Sequence, residues 1–383
     1  MESPPLIGFL SPAERQAYLS DWFDGFKSNQ PPKIESWSER RKALGHEVCK
    51  RKLIYLDTNF WVNFRKVLEG NSNDHKDSAL LYRLRELVGA GVALCPLSDA
   101  TFVELMRQPE PRRTATAQVM DELSQGVCIQ EHQQRIRAEI RDFMDRARKN
   151  TLLHTRHPRD EVWTKCGYAV GDVVPQVDEI PPTLLAIMQR GFDDLLCSYR
   201  VEELVGMLAA APANSPLFKL DAHHKQNQDK EIHFNEVRSF EQVFQGEMQN
   251  ALELFVDDIA RAFCDHSGLS ENQLRDVGPS PVNKLINLMT TSLSNNPNLD
   301  ILPTLRVAAS IHATHWLDGP RKYKDHDAED IMHAEAALPY CDFFFTEKSL
   351  ASMVCSSPAK IAQFFGTVVC NNAGEALTAL ENL

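Results

Sequence analysis

Three absences narrow the reading of this chain before any motif is considered. Its nine cysteines are scattered without a Cys-x-x-Cys pair, which speaks against a zinc knuckle or a disulfide framework. They read as reduced thiols, mostly core-filling. No window approaches membrane-spanning length, and the first residues, MESPPLIGFLSPAERQ, lack a positive leader followed by a long apolar run. The expectation is a cytoplasmic protein with no membrane partner. An excess of base is also missing: 53 acidic against 41 basic residues leave a net charge of -12. That balance argues against broad, nonspecific adhesion to nucleic acid, although local basic patches remain open. What is present is ample material for a core, with 383 residues of which 43% are hydrophobic, enough for two or three domain-sized units.

Residues 1–50 read as an N-terminal helical arm. Ser11, Pro12 and Glu14 make a capping box ahead of Tyr18, Leu19, Trp22, Phe23 and Phe26. A second helical stretch, Glu35 to Val48, carries Arg40, Arg41 and Lys42, which with Lys50 to Lys52 read as a solvated basic face rather than a phosphate guide. Then comes LIYLDTN. Leu53 to Leu56 is a short strand apolar on both faces, as in parallel sheets, and Asp57 falls at its carboxyl end. In open α/β sheets that end faces the ligand crevice, so an acid there suits chemistry as well as it suits a simple Asp-Thr-Asn turn.

Downstream, strand and helix alternate over residues 51–149. Helical spacing at Leu80, Leu81, Leu84, Leu87 and Val88 is followed by a strand at Val92 to Cys95 and a helix capped by Ser98 or Asp99. Glu104 lies in the first two turns of that helix, where its carboxylate can reach back over the strand ends. A third strand follows at Gly126 to Gln130, then an Arg-rich helix over Glu131 to Lys149 whose interleaved acids predict a salt-bridged surface. This order predicts an α/β domain with a central parallel sheet flanked by helices. Over residues 150–299 the strand pattern fades, and the stretch reads as a mainly α-helical insertion. His223, His224 and His233 sit there among polar residues and read as a solvated loop. His312 and His315 read as structural.

Residues 300–383 return to the α/β pattern. Asp327 and Asp330 open a helix whose buried side is marked by Ile331, Ala334, Ala337 and Leu338. CDFFFT, ending in Thr346, then forms a buried strand that presents Glu347 and Lys348. Asp342 begins that strand and is a poorer candidate. A last strand, GTVVC, precedes a closing helix.

Four quoted stretches, LDTN, PLSDATFVEL, DIMHAEAAL and FFFTEK, together resemble the PIN-domain (PilT N-terminus-like) nucleases over roughly residues 52–149 and 300–372. The resemblance implies a PIN-like three-layer fold, interrupted by the helical insertion, and a metal-dependent nuclease leaving 5′-phosphate and 3′-hydroxyl ends. It implies catalytic and metal-binding roles for Asp57, Glu104, Asp330 and Glu347, with Asp327 sharing in metal binding. Thr58, Asn59 and Thr346 are expected to orient these acids, and Arg321, Lys322, Lys324 and Lys348 to contact substrate phosphates. Glu347 departs from the family's usual Asp by one methylene. Mg²⁺ or Mn²⁺ is the expected cofactor, because hard ions prefer carboxylate oxygens and retained waters. Paired ions about 3.5 to 4 Å apart clamp the attacking and leaving oxygens of a phosphodiester. RNA is the expected nucleic-acid partner. The alternatives are a DNA nuclease of the same fold and a catalytically weak adaptor whose insertion holds a protein partner; an inhibitor protein and homo-oligomerisation stay open.

Overall fold

The structure is a computed structural model of the chain and describes all residues except 1–4, 28–36, 73, 152–158, 173–174, 176–179, 209–238, 297, 319–320, 325 and 357. The expected loop histidines His223, His224 and His233 therefore lie outside the described residues. The elements are α1 (Pro12–Lys27), α2 (Trp37–Val48), β1 (Lys52–Leu56), α3 (Thr58–Leu68), α4 (His75–Gly89), β2 (Ala93–Leu94), α5 (Asp99–Arg107), α6 (Arg112–Ser124), β3 (Val127–Ile129) and α7 (His132–Arg148). They continue as β4 (Trp163–Lys165), α8 (Pro182–Ser198), α9 (Val201–Leu208), α10 (Phe240–Leu254), α11 (Val256–Ser267), α12 (Glu271–Val277), α13 (Ser280–Asn295) and α14 (Pro303–Leu317). The chain closes with α15 (Asp327–Ala337), β5 (Phe343–Phe345), α16 (Lys348–Cys355), α17 (Ile361–Phe365), β6 (Val368–Cys370) and α18 (Ala373–Ala379).

A four-stranded parallel sheet in the order β2-β1-β5-β6 forms the spine. Helices cover both of its faces. Ile54 and Leu56 of β1 join Phe60, Phe64 and Leu80 in one core, whereas Leu53 and Tyr55 join Val307, Ile311 and Ala334 in another. Two buried faces explain why the strand reads as an unbroken apolar run instead of an alternating one.

The sheet reaches further than the sequence pattern indicates. A parallel bridge from Leu97 to Cys128 connects it to β3, which pairs antiparallel with β4. β4 falls within residues 150–299, the stretch expected to be mainly helical, and its Trp163 is buried in the same core as Leu53 and Tyr55. Three residues, Trp-Thr-Lys, are too few to show a period. Beyond β4 the helical expectation holds for the described residues. α10 to α13 share a third core with Ile136, Ile140 and Phe143 of α7 and with Leu305, Ala309 and Ala313 of α14.

The capping box of α1 is present: Glu14 N donates to Ser11 Oγ, and Ser11 N donates to Glu14 Oε2 at 2.7 Å. The solvated basic face expected around α2 is present only in part: Lys42, Lys50 and Lys52 are exposed, whereas the arginines of α2 are engaged. Arg40 is buried and pairs with Asp193 and Asp194 of α8, while Arg41 pairs with Asp172, so these charges tie the arm to later segments. On α7 the interleaved acids pair as expected in part, Asp142 with Arg146 and Asp145 with Arg148; Arg137 and Arg141 instead reach Asp258 and Asp265 of α11, and Arg135 and Glu139 are buried. His312 and His315 pack on Tyr323. Among the described residues no helix is long and apolar enough to cross a membrane.

Candidate metal centre

Parallel pairing sets Leu56 of β1 beside Phe345 of β5, so the next residues, Asp57 and Thr346, leave the sheet side by side at its carboxyl edge. Thr346 Oγ1 donates to Asp57 Oδ2 at 2.8 Å, and Asp57 N donates to Phe345 O at 2.9 Å. Asp57 is 4% exposed. It stands at the N-cap of α3, yet its side chain makes no capping bond, and its Oδ1 lies 3.9 Å from His333 Nε2.

Two helices complete the arrangement. Ser98 caps α5 by accepting from Thr101 N, and the second turn of that helix delivers Glu104. α15 delivers His333, also from its second turn. His333 Nε2 lies 3.1 Å from Glu104 Oε2. One potential ligand atom from each of Asp57, Glu104 and His333 falls within 4.8 Å of the other two, so the three can hold a metal ion.

Tyr55 supports the group from beneath. It sits two residues before Asp57 and so points to the same side of β1. Its hydroxyl lies 2.7 Å from His333 Nδ1, 2.6 Å from Ser98 Oγ and 3.1 Å from Thr101 Oγ1. A partner on the second ring nitrogen fixes which nitrogen is available to a ligand and how the ring is turned.

The electrostatics show that all four sequence-read acids share one field. Burial, then the charges of Glu347 and Asp57, pushes the Asp330 carboxyl up to about 7. Burial alone would raise Glu104, but the hydrogen bond and charge of His333, helped by Thr58, outweigh it and leave Glu104 lowered. His333 shows the reverse balance. Burial would lower it, and the Tyr55 oxygen together with Asp57 and Glu104 holds it well above the ordinary histidine value. In the metal-free site His333 is thus the cation that offsets the two carboxylates.

The expected residues fall into place unequally. Asp57 and Glu104 belong to the three-residue group. Asp330, one turn before His333, and the exposed Glu347 act on it through charge without joining it. Asp327 is turned away: its carboxylate accepts from Lys324 N at 2.8 Å and from Arg321 at 3.4 Å. That pairing engages Arg321 with Asp327, while Lys322, Lys324 and Lys348 are exposed. Of the orienting residues only Thr346 bonds to Asp57 among the described residues. Helix α3 begins immediately after Asp57, so Thr58 and Asn59 are already helical; Thr58 acts on Glu104 rather than on Asp57, and Asn59 is exposed. Asp342 accepts from Leu53 N at 2.9 Å, at the opposite end of the strands. The functional residue that sequence reasoning missed is His333. Its signal was its place three residues after Asp330 on the same helix face.

Fold and site together define an α/β protein with a carboxylate-imidazole cluster at the carboxyl edge of a parallel sheet, where open α/β sheets receive ligands. No protein-family description, curated protein or solved structure matches the chain.

Proposed function

We propose that this protein is a metal-dependent phosphodiester hydrolase, an endoribonuclease of PIN-like architecture that leaves 5′-phosphate and 3′-hydroxyl ends. The observation that carries the reading is the gathering of Asp57 and Glu104 around His333 at one sheet edge, with Asp330 and Glu347 in the same field. The donor set suits a divalent ion. With an imidazole beside two carboxylates, Mn²⁺ is a better match than Mg²⁺, which favours oxygen ligands alone.

A bound divalent ion neutralises phosphate charge and makes an attacking water more acidic. The chain supplies the rest. Asp57, Glu104 and His333 would hold the ion, with Thr346 and Tyr55 fixing the orientation of Asp57 and His333. Asp330, with its carboxyl near 7, is suited to accept a proton at near-neutral pH. Exposed Lys322, Lys324 and Lys348 provide positive charge for the phosphate backbone.

The test is cleavage of RNA and of single-stranded DNA with Mn²⁺ or Mg²⁺, comparing wild type with Asp57→Asn and Asp330→Asn. Wild type should cut RNA in preference to DNA, and both variants should lose cleavage while keeping the fold. Wild-type silence on every substrate, with no Mn²⁺ bound in titration, would refute the reading in favour of a noncatalytic adaptor.

A further inference from the structure

The metal centre leaves one buried cation unexplained. Arg306 on α14 is 5% exposed and lies between two aromatic rings, with its guanidinium carbon 5.3 Å from the Phe244 centroid and 4.6 Å from that of Phe364. Its Nη2 donates to Leu299 O at 2.9 Å, and its Nε is buried with no hydrogen-bond partner. Among the described residues no carboxylate lies within ion-pair distance of it. The other buried arginines differ: Arg15 faces Glu203, Arg40 faces Asp193 and Asp194, Arg65 faces Glu69, Arg135 faces Asp99 and Glu335, and Arg146 faces Asp142. Burying a charge without a partner is strongly unfavourable. Burial lowers the Arg306 value to about 10, with the charge of Asp300, beyond ion-pair distance, working against it, and this still leaves it charged near neutral pH.

Arg306 lines a cavity of about 500 Å³ between α10, α13, α14 and α17. Ser310, one turn further along α14, lines the same wall, and Ser294 and Asn298 add neutral polar groups. Among the described residues Glu241 is the only acid in the lining. None of the metal-centre residues contributes to it. A planar guanidinium fork matches the oxygens of an anion, and the hydroxyls and amide can serve a further oxygen. The volume greatly exceeds that of an inorganic ion and falls in the range of small-molecule sites. Phe240, stacked on Phe244 at 6.0 Å between centroids, lines the same cavity and adds an aromatic surface that suits a flat ring.

We propose that this cavity binds a small organic phosphate with a flat ring, of nucleoside-monophosphate size, its phosphate held by Arg306 and Ser310 and its ring against Phe240. The inference stands apart from the nuclease reading, because it uses neither the metal nor its ligands.

The experiment is titration of the full chain in chelator, without divalent ions, with adenosine 5′-monophosphate, adenosine or inorganic phosphate, followed by calorimetry and thermal melting. The monophosphate should bind saturably and raise the melting temperature, with adenosine and inorganic phosphate each at least about tenfold weaker. Arg306→Met should weaken monophosphate binding at least about tenfold while circular dichroism shows the wild-type helical content. Ser310→Asp is the sharper variant. It places a carboxylate one turn from Arg306, and should raise the melting temperature while abolishing binding. Asp57→Asn should bind as wild type does. Absence of monophosphate binding to wild type, undiminished binding by Arg306→Met or Ser310→Asp, adenosine binding as tight as the monophosphate, or loss of binding in Asp57→Asn would each overturn the proposal.

Discussion

Replacing Tyr55 by Phe isolates the support beneath the metal centre. The substitution keeps the ring, and with it the edge contact to Phe344 at 5.7 Å between centroids, but deletes a hydroxyl with three buried neighbours. Two of them lose little. Ser98 Oγ still lies 3.3 Å from Thr101 Oγ1 and still accepts from Thr101 N. The third, His333 Nδ1, loses the only hydrogen-bond partner described for it, and a buried polar group left unpaired costs roughly 1 to 3 kcal/mol. The stability loss should fall in that range. Losing the group that orients a metal-bound imidazole typically weakens metal affinity about 10- to 100-fold, or roughly 1.4 to 2.8 kcal/mol. Chemical denaturation gives the first quantity and Mn²⁺ calorimetry the second. If Tyr55→Phe loses stability but binds Mn²⁺ as tightly as wild type, His333 is not a ligand and the site as described is wrong.

Three further outcomes follow from the same geometry. The Asp330 carboxyl is raised to about 7 in the folded chain, so the folded state holds this proton more tightly than the unfolded state. The Asp330 contribution to metal-free stability should therefore fall as pH rises from about 4 to about 7 and then level off; Asp330→Asn should flatten that part of the melting profile, and an unchanged profile would refute the assignment. Thr346→Val removes the hydroxyl that donates to Asp57 at nearly constant volume, and should cost about 1.5 to 3 kcal/mol, as expected for a hydrogen bond to a charged group, together with weaker Mn²⁺ binding by calorimetry. Glu139→Ala strands the Tyr340 hydroxyl and the Thr304 amide and hydroxyl at the start of α14; a loss of about 3 kcal/mol or more in denaturation, with Mn²⁺ affinity intact, is the expected result.

What could be read from the sequence was whatever local pattern determines. β1 and Asp57 were legible because a strand buried on both faces shows as an apolar run, and because a parallel strand delivers its next residue to one known edge. The low rank given to Asp342 held for the same reason, since its carboxylate caps the amide of Leu53 at the other end of the sheet. Glu104 and Asp330 were legible from their places near helix starts. The role of His333 was not, because it arises from Tyr55 and Glu104, both more than 200 residues away in the chain. Thr58 acts on Glu104 rather than on Asp57, and Asn59 is exposed, because α3 begins at once after Asp57, which nothing in the letters announces. The arginines of α2 looked solvated because their partners, Asp172, Asp193 and Asp194, lie far along the chain.

The proton on His333 gives the competing functional readings a physical point of separation. In the metal-free chain this imidazole offsets Asp57 and Glu104, so the site is internally neutralised in part and can persist without an ion. An arriving divalent ion must replace that proton, because protonated imidazole has no lone pair to give. Binding is then an exchange of cations, favoured by rising pH. A chain that used the cluster only as a structural ion network would have no need to release the proton, and its stability would be indifferent to Mn²⁺. The nuclease and adaptor readings therefore differ already in whether the ion displaces a proton, before any substrate is added.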